Sequence, residues 1–66
     1  MTVTVNGAPR LVTGGATVAD LVGELTPHRR GVAVALNGEV VPRAAWDAAT
    51  LRDGDRVEVL TAAQGG

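Results

Sequence analysis

The chain of 66 residues contains no cysteine, serine, lysine, tyrosine, phenylalanine or isoleucine. Without cysteine it cannot form a disulfide or a thiolate metal site. The absence of serine, cysteine, lysine and tyrosine excludes serine–histidine and cysteine–histidine catalysis. His28 is the single histidine, which is too few for an ordinary zinc site, and we expect it to be an exposed loop residue. We therefore expect the folded part to hold no catalytic residue, bound cofactor or metal.

Charge and hydropathy limit the classes of partner. Six arginines oppose seven acidic residues, the net charge is -1, and Trp46 is the only aromatic residue. Nucleic-acid binding requires clustered basic side chains, commonly with stacking aromatics, so we expect none. No apolar run approaches the roughly 20 residues of a membrane span, and no signal peptide is recognisable at the start. We expect a cytoplasmic protein that does not bind membranes and is a monomer when free.

The first half of the chain predicts a hairpin and a helix. Residues 2–6 alternate between polar and apolar side chains, as in a half-buried strand. Asn6-Gly7 is a tight-turn signal, and residues 9–13 are predicted as the return strand, with Val12 facing inward. Thr17 begins a helix in a capping-box arrangement, and Pro27 ends it. The apolar stripe of this helix consists of Val18, Leu21, Val22 and Leu25.

The second half predicts three more short elements and a loop. Residues 32–36 form an apolar strand, Asn37-Gly38 is a second tight-turn signal, and residues 40–41 are a short return strand. Residues 42–50 are predicted as a helical turn or loop whose Trp46 fills the core. In the last strand, Val57 and Val59 face the core.

This order of elements, ββαβ(β)β, predicts the α+β class. One sheet face must be covered by the helix, because a hairpin alone cannot close a core. A right-handed crossover through the helix leaves a central gap for the last strand. We expect a β-grasp (ubiquitin-like) fold, in which a mixed sheet of four to five strands surrounds one helix. The predicted domain covers residues 1–60, and residues 61–66 form a flexible tail.

The diglycine Gly65-Gly66 is the part of the sequence with the clearest chemical use. Glycine has no Cβ, so this tail can thread a narrow channel in another protein. A free terminal carboxylate is ionised at neutral pH, and activation as a mixed anhydride would make it electrophilic. The tail extends to about 20 Å at ~3.4 Å per residue. We expect the chain to be a carrier and co-substrate of partner enzymes, not an enzyme itself.

A partner surface is predicted on the sheet face that points away from the helix. Apolar side chains exposed on such a face often mark an interface. From the alternation in the strands, the members of this surface are Leu11, Ala33, Ala35 and Leu60.

The whole chain resembles the ThiS family, the small sulfur-carrier proteins of thiamine biosynthesis. The ordered set of matching segments carries the resemblance more than any one of them. They are Val5-Asn6-Gly7, residues 16–21, residues 32–43, Trp46, Leu51, residues 53–59 and Gln64-Gly65-Gly66. The tail departs from many relatives by having glutamine where they have a third glycine.

The resemblance implies a β-grasp fold and a reactive Gly66. In this family the terminal carboxylate is adenylated by a ThiF-type adenylyltransferase, which consumes ATP, and a sulfur donor protein supplies the sulfur of the thiocarboxylate. Gln64 and Gly65 would thread into the partner. A ThiG-type thiazole synthase would then receive the sulfur to form the thiazole.

Two alternatives remain open at this stage. The chain could be a β-grasp sulfur carrier of another pathway, such as molybdopterin or cysteine synthesis, although those relatives lack the run of residues 37–43 followed by Trp46. It could also be a ubiquitin-like modifier or binding module. Because it has no lysine, it cannot form polymers linked through its own lysines.

Overall fold

The computed structural model describes residues 1–27 and 30–61. Within these residues five strands, one α-helix and one short 3-10 helix are present. Their bounds are β1 Thr2–Val5, β2 Ala8–Leu11, α1 Val18–Leu25, β3 Val32–Leu36, β4 Glu39–Val41, the 3-10 helix Arg43–Ala45, and β5 Arg56–Thr61.

The five strands of the described residues form one mixed sheet in the order β2-β1-β5-β3-β4. β5 lies in the centre, where it runs parallel to β1 and antiparallel to β3. The outer pairs, β1 with β2 and β3 with β4, are antiparallel hairpins. Asn6-Gly7 and Asn37-Gly38 form the tight turns of these hairpins, as the sequence predicts. All four residues have positive φ. The β-grasp prediction is confirmed.

Helix α1 begins with the predicted capping box. The Asp20 amide donates to the Thr17 hydroxyl (3.2 Å), and the Thr17 amide donates to the Asp20 carboxylate (2.9 Å). These two bonds satisfy backbone donors that a helix N-terminus leaves free. The helix ends before Pro27, where Thr26 is extended. Leu25, predicted on the buried stripe, is instead 38% exposed, because it lies at the very end of the helix.

The core lies between α1 and one face of the sheet, and Trp46, which follows the 3-10 helix, is buried in it. Val12 packs against this core although it follows the end of β2, which confirms its inward orientation. The buried apolar residues are Val3, Val5, Val18, Ala19, Leu21, Val22, Val32, Val34, Trp46, Leu51, Val57 and Val59.

Several predicted boundaries differ from those of the structure. β2 ends at Leu11 instead of residue 13, and β4 begins one residue earlier than predicted, at Glu39. Thr61, which the sequence analysis assigns to the tail, belongs to β5 because it pairs with Val32. The strand is therefore longer than predicted, while residues 62–66 lie outside the described residues, as does His28. No helix in the described segments has the length and apolarity needed to cross a bilayer.

Candidate functional site

Four apolar side chains come together on the sheet face opposite the helix. Ala33 faces Leu60 across the β3–β5 pair, and Ala35 faces Val40 across the β3–β4 pair. Leu60 is 69% exposed and Val40 is 76% exposed. We call these four residues the outer-face patch. They line a shallow depression of about 200 Å³, together with Asn6, Val34 and Glu58.

The patch follows from the pleat of the strands. Successive residues of a strand point to opposite faces, so the burial of Val34 and Val59 places Ala33 and Leu60 on the outer face. Ala33 and Ala35 are small, which leaves the depression between the larger Val40 and Leu60. Val40 was not predicted as a member of this surface. Its pairing with Ala35 in the Asn37-Gly38 hairpin is the signal that would have identified it.

Leu11, the fourth residue of the predicted partner surface, does not join this patch. It is 80% exposed on the same sheet face, but it pairs with Thr2 at the far end of β1. The Thr2 carbonyl accepts a hydrogen bond from the Gly54 amide (2.8 Å), so Leu11 lies level with residue 54. Leu60 is six residues further along the chain than residue 54, which corresponds to about 20 Å of strand at ~3.3 Å per residue. Leu11 and Leu60 are therefore far apart on this face. The prediction that all four residues form one surface is wrong for Leu11.

The predicted reactive end of the chain lies outside the described residues. This holds for Gln64, Gly65 and Gly66, whose predicted roles remain predictions. The structure does place the residue that precedes residues 62–66, because Thr61 is the last residue of β5 and follows Leu60 of the patch. The patch and the attachment point of residues 62–66 are therefore neighbours.

The described residues offer little other chemistry. No group of three or more histidine, cysteine, aspartate or glutamate side chains in segments 1–27 and 30–61 is arranged to hold a metal ion. A second depression, beside the N-terminus of α1, is lined by Thr13, Gly14, Gly15, Ala16, Asp20 and Glu24. Its carboxylates are engaged, since Asp20 belongs to the capping box and Glu24 pairs with Arg10 at 3.3 Å.

Comparison with known proteins assigns the family. The model of the ThiS family matches residues 3–66, which is nearly the whole chain and includes the diglycine. The chain belongs to the ThiS family. The matching segments of the sequence analysis are thus confirmed as a family resemblance.

Solved structures of this family have the same fold. The crystal structure of the thiamine biosynthesis protein ThiS from Geobacter metallireducens is 43% identical, with a TM-score of 0.84 and complete coverage of both chains. The solution NMR structure of a thiamine biosynthesis protein from Geobacter metallireducens is 45% identical, with a TM-score of 0.82, and covers 100% of this chain and 88% of that one.

Two curated proteins are similar in sequence. The sulfur carrier protein ThiS of Escherichia coli (strain K12) is 35% identical over 52 residues, which are 79% of each chain. The thiazole synthase of Paramagnetospirillum magneticum (strain ATCC 700264 / AMB-1) is 36% identical over 66 residues. All of this ThiS-family chain aligns there, but it spans only 20% of the length of the thiazole synthase.

Proposed function

We propose that this ThiS-family protein is a sulfur carrier of thiamine biosynthesis and that it carries the sulfur on the carboxyl group of Gly66. The observation that supports this most is the family match that continues through the diglycine to residue 66. The similar ThiS of Escherichia coli is itself named a sulfur carrier protein. The carrier has no catalytic part in our proposal, and the partner enzymes supply the chemistry.

The proposed chemistry has two steps at the Gly66 carbonyl carbon. A carboxylate oxygen attacks the α-phosphorus of ATP, and pyrophosphate leaves, so that an acyl adenylate forms. A sulfide or persulfide sulfur from a donor protein then attacks the carbonyl carbon, and the carbon–oxygen bond to AMP breaks. With sulfide, the products are a thiocarboxylate, AMP and a proton; with a persulfide, a thiol reductant must also cleave the sulfur–sulfur bond. Activation is needed because a carboxylate anion is a poor electrophile.

The partners follow from these steps. A ThiF-type adenylyltransferase would bind the carrier and ATP, and a ThiG-type thiazole synthase would receive the sulfur. The thiazole synthase of Paramagnetospirillum magneticum contains a segment similar to this chain. A carrier segment and a thiazole synthase would then share one polypeptide, which supports the proposed partnership with a ThiG-type enzyme. The same similarity favours thiazole formation over molybdopterin or cysteine synthesis.

The outer-face patch is the proposed docking surface for these enzymes. It combines exposed apolar side chains with a position beside Thr61, so an enzyme seated on it would lie next to the start of residues 62–66. These residues, with Gln64 and Gly65 near the end, would then enter the active site of that enzyme.

Intact mass spectrometry tests the proposed function. We expect incubation with ATP, a ThiF-type adenylyltransferase and sulfide to replace one oxygen of Gly66 by sulfur, and the mass change to require ATP. Deletion of Gly66 should abolish it, because the shortened chain ends at a different distance from the globular domain. A protein that gained the same sulfur without Gly66 would contradict the assignment of this residue.

A further inference from the structure

Strand β5 loses its partner on one side before it ends. β1 pairs with it only at Arg56 and Val57, because β1 stops at Val5 and the chain turns away. The next residue of β5 with backbone groups directed to that side is Val59. In place of a strand, the side chain of Asn6 receives them: Asn6 Oδ1 accepts from the Val59 amide (2.8 Å), and Asn6 Nδ2 donates to the Val59 carbonyl (3.0 Å).

The Asn6 carboxamide acts here as a substitute for a peptide group. It offers one acceptor and one donor, as a neighbouring strand would. The Asn6 backbone amide also donates to the Val57 carbonyl (2.9 Å), so one residue extends the ladder of β5 from Val57 to Val59. An unpaired backbone group that is removed from water is costly, and both side-chain bonds are partly buried.

A second asparagine holds the opposite end of the same strand. Asn37 Oδ1 accepts from the Arg56 amide (2.9 Å), and Asn37 Nδ2 donates to the Asp55 carboxylate (3.0 Å). Asn37 and Asn6 occupy the same place in their Asn-Gly turns, with φ of 51° and 50°. The two differ in which end of β5 they hold: Asn37 is at the start of the strand, and Asn6 is at the end that leads to the diglycine.

We propose that Asn6 is a positioning residue for the reaction of Gly66, because it fixes the end of β5 from which the last residues extend. This inference rests on the proposed function. Seven residues follow Val59, and they span at most about 24 Å at ~3.4 Å per residue. If the end of the strand were loose, the point from which residues 62–66 extend would vary in position, and a partner enzyme docked on the outer-face patch would less often find Gly66 in reach.

This role predicts a defined kinetic effect. Asn6 also lines the depression beside the four patch residues, but its carboxamide is bonded to Val59, so we expect loss of this side chain to change the KM for the carrier less than kcat. The fraction of docked carriers with Gly66 in place falls, so kcat should fall. A purely structural role for Asn6 would lower stability but leave both constants unchanged for the folded protein.

The test compares Asn6→Gly with its matched control, Asn37→Gly. Glycine accepts the positive φ of both turns, so Asn6→Gly removes the two side-chain bonds to Val59, and Asn37→Gly removes the side-chain bonds to Arg56 and Asp55. We expect the hydrogen-exchange protection of the Val59 amide to drop about tenfold in Asn6→Gly, as expected for the loss of a net hydrogen bond. In Asn37→Gly the amide that loses protection should be that of Arg56.

The kinetic measurement uses steady-state formation of the thiocarboxylate with a ThiF-type adenylyltransferase, ATP and sulfide, at a temperature where circular dichroism shows both variants folded. We expect kcat to fall about three- to tenfold for Asn6→Gly, in line with the loss of one or two hydrogen bonds, and to stay within error of the wild type for Asn37→Gly. Asn6→Asp keeps the acceptor but places a carboxylate oxygen against the Val59 carbonyl where the donor was, so it should not restore kcat to the wild-type value.

Three outcomes would overturn the inference, and they differ in what they say of the proposed function. Equal kcat for the wild type and Asn6→Gly would overturn the positioning role and leave the sulfur-carrier function standing. An equal loss of kcat in both glycine variants would do the same, since it would reflect general loosening of β5. A wild type that gains no sulfur would overturn the proposed function together with this inference.

Discussion

At the residue scale, Trp46 is a core residue that also links two other parts of the chain. It is the largest of the fully buried side chains, with 1% of its surface exposed, although it lies outside the strands and outside α1. Its indole Nε1 donates to the Val41 carbonyl (2.9 Å), and its backbone carbonyl accepts from the Ala19 amide (3.2 Å). The residue thus joins the connection after β4 to the helix. Its prediction as a core residue is confirmed.

We expect Trp46→Ala to remove a large fraction of the free energy of unfolding. A buried aromatic replaced by alanine costs about 3–5 kcal/mol, whereas a domain of this length has a total stability of roughly 3–10 kcal/mol. Urea unfolding followed by far-ultraviolet circular dichroism measures this loss. Trp46→Phe keeps an aromatic ring and should lose much less. An alanine variant with a stability like that of the wild type would show that the site can collapse around the missing ring.

At the scale of the element, the short helix depends on its N-terminus. α1 has eight residues, and an isolated helix of this length is not stable in water. The capping box of Thr17 and Asp20 offsets part of this cost, and the burial of four residues of the helix against the sheet contributes the rest. The cap was predictable from the sequence because it depends only on residues three positions apart.

Thr17→Ala should lower the free energy of unfolding by about 1 kcal/mol, the usual value for loss of an N-cap side chain. The exposed Thr13, four residues earlier, provides the control, and Thr13→Ala should change stability by less than about 0.5 kcal/mol. Thermal and urea unfolding give both values. If the two substitutions cost the same, the hydroxyl of Thr17 contributes nothing specific to the helix.

At the scale of the whole molecule, the central position of β5 determines where the proposed docking surface lies relative to the last residues of the chain. The strand crosses the middle of the sheet, so its last residues reach the edge of the patch, and residues 62–66 continue from the same point. The outer face is thereby divided into two apolar regions, the patch around Leu60 and the separate Leu11 on β2. The two leucines form a matched pair for testing which region binds the partner.

We expect Leu60→Glu to weaken binding to a ThiF-type adenylyltransferase by about tenfold or more, because burying a carboxylate in an apolar interface is costly. Leu11→Glu, at a site of similar exposure, should bind as the wild type does. Isothermal titration calorimetry measures the affinities, and unchanged melting temperatures would show that both variants fold. Equal affinities for the two variants would exclude the patch as the docking surface.

Local patterns predicted most of the elements. The Asn-Gly turns, the capping box and the alternation of valines depend on residues within a few positions of one another, so each hairpin, the helix and the central β5 could be predicted. The boundaries were less accurate. Thr61 joins β5 only because Val32 is there to pair with it, and β2 stops at Leu11, at the level where β1 begins. Such limits depend on the partner strand, which local sequence does not specify.

The sequence by itself determined the family, the β-grasp architecture and the expectation that Gly66 is the reactive end, because these depend on residue types and their order. Only the tertiary structure decided which exposed side chains are neighbours. It moved Leu11 away from Leu60, added Val40, and placed the Asn6 side chain on Val59, 53 residues later in the chain. The physical reason is that strand order and register bring distant residues into contact, and no short-range pattern contains that information.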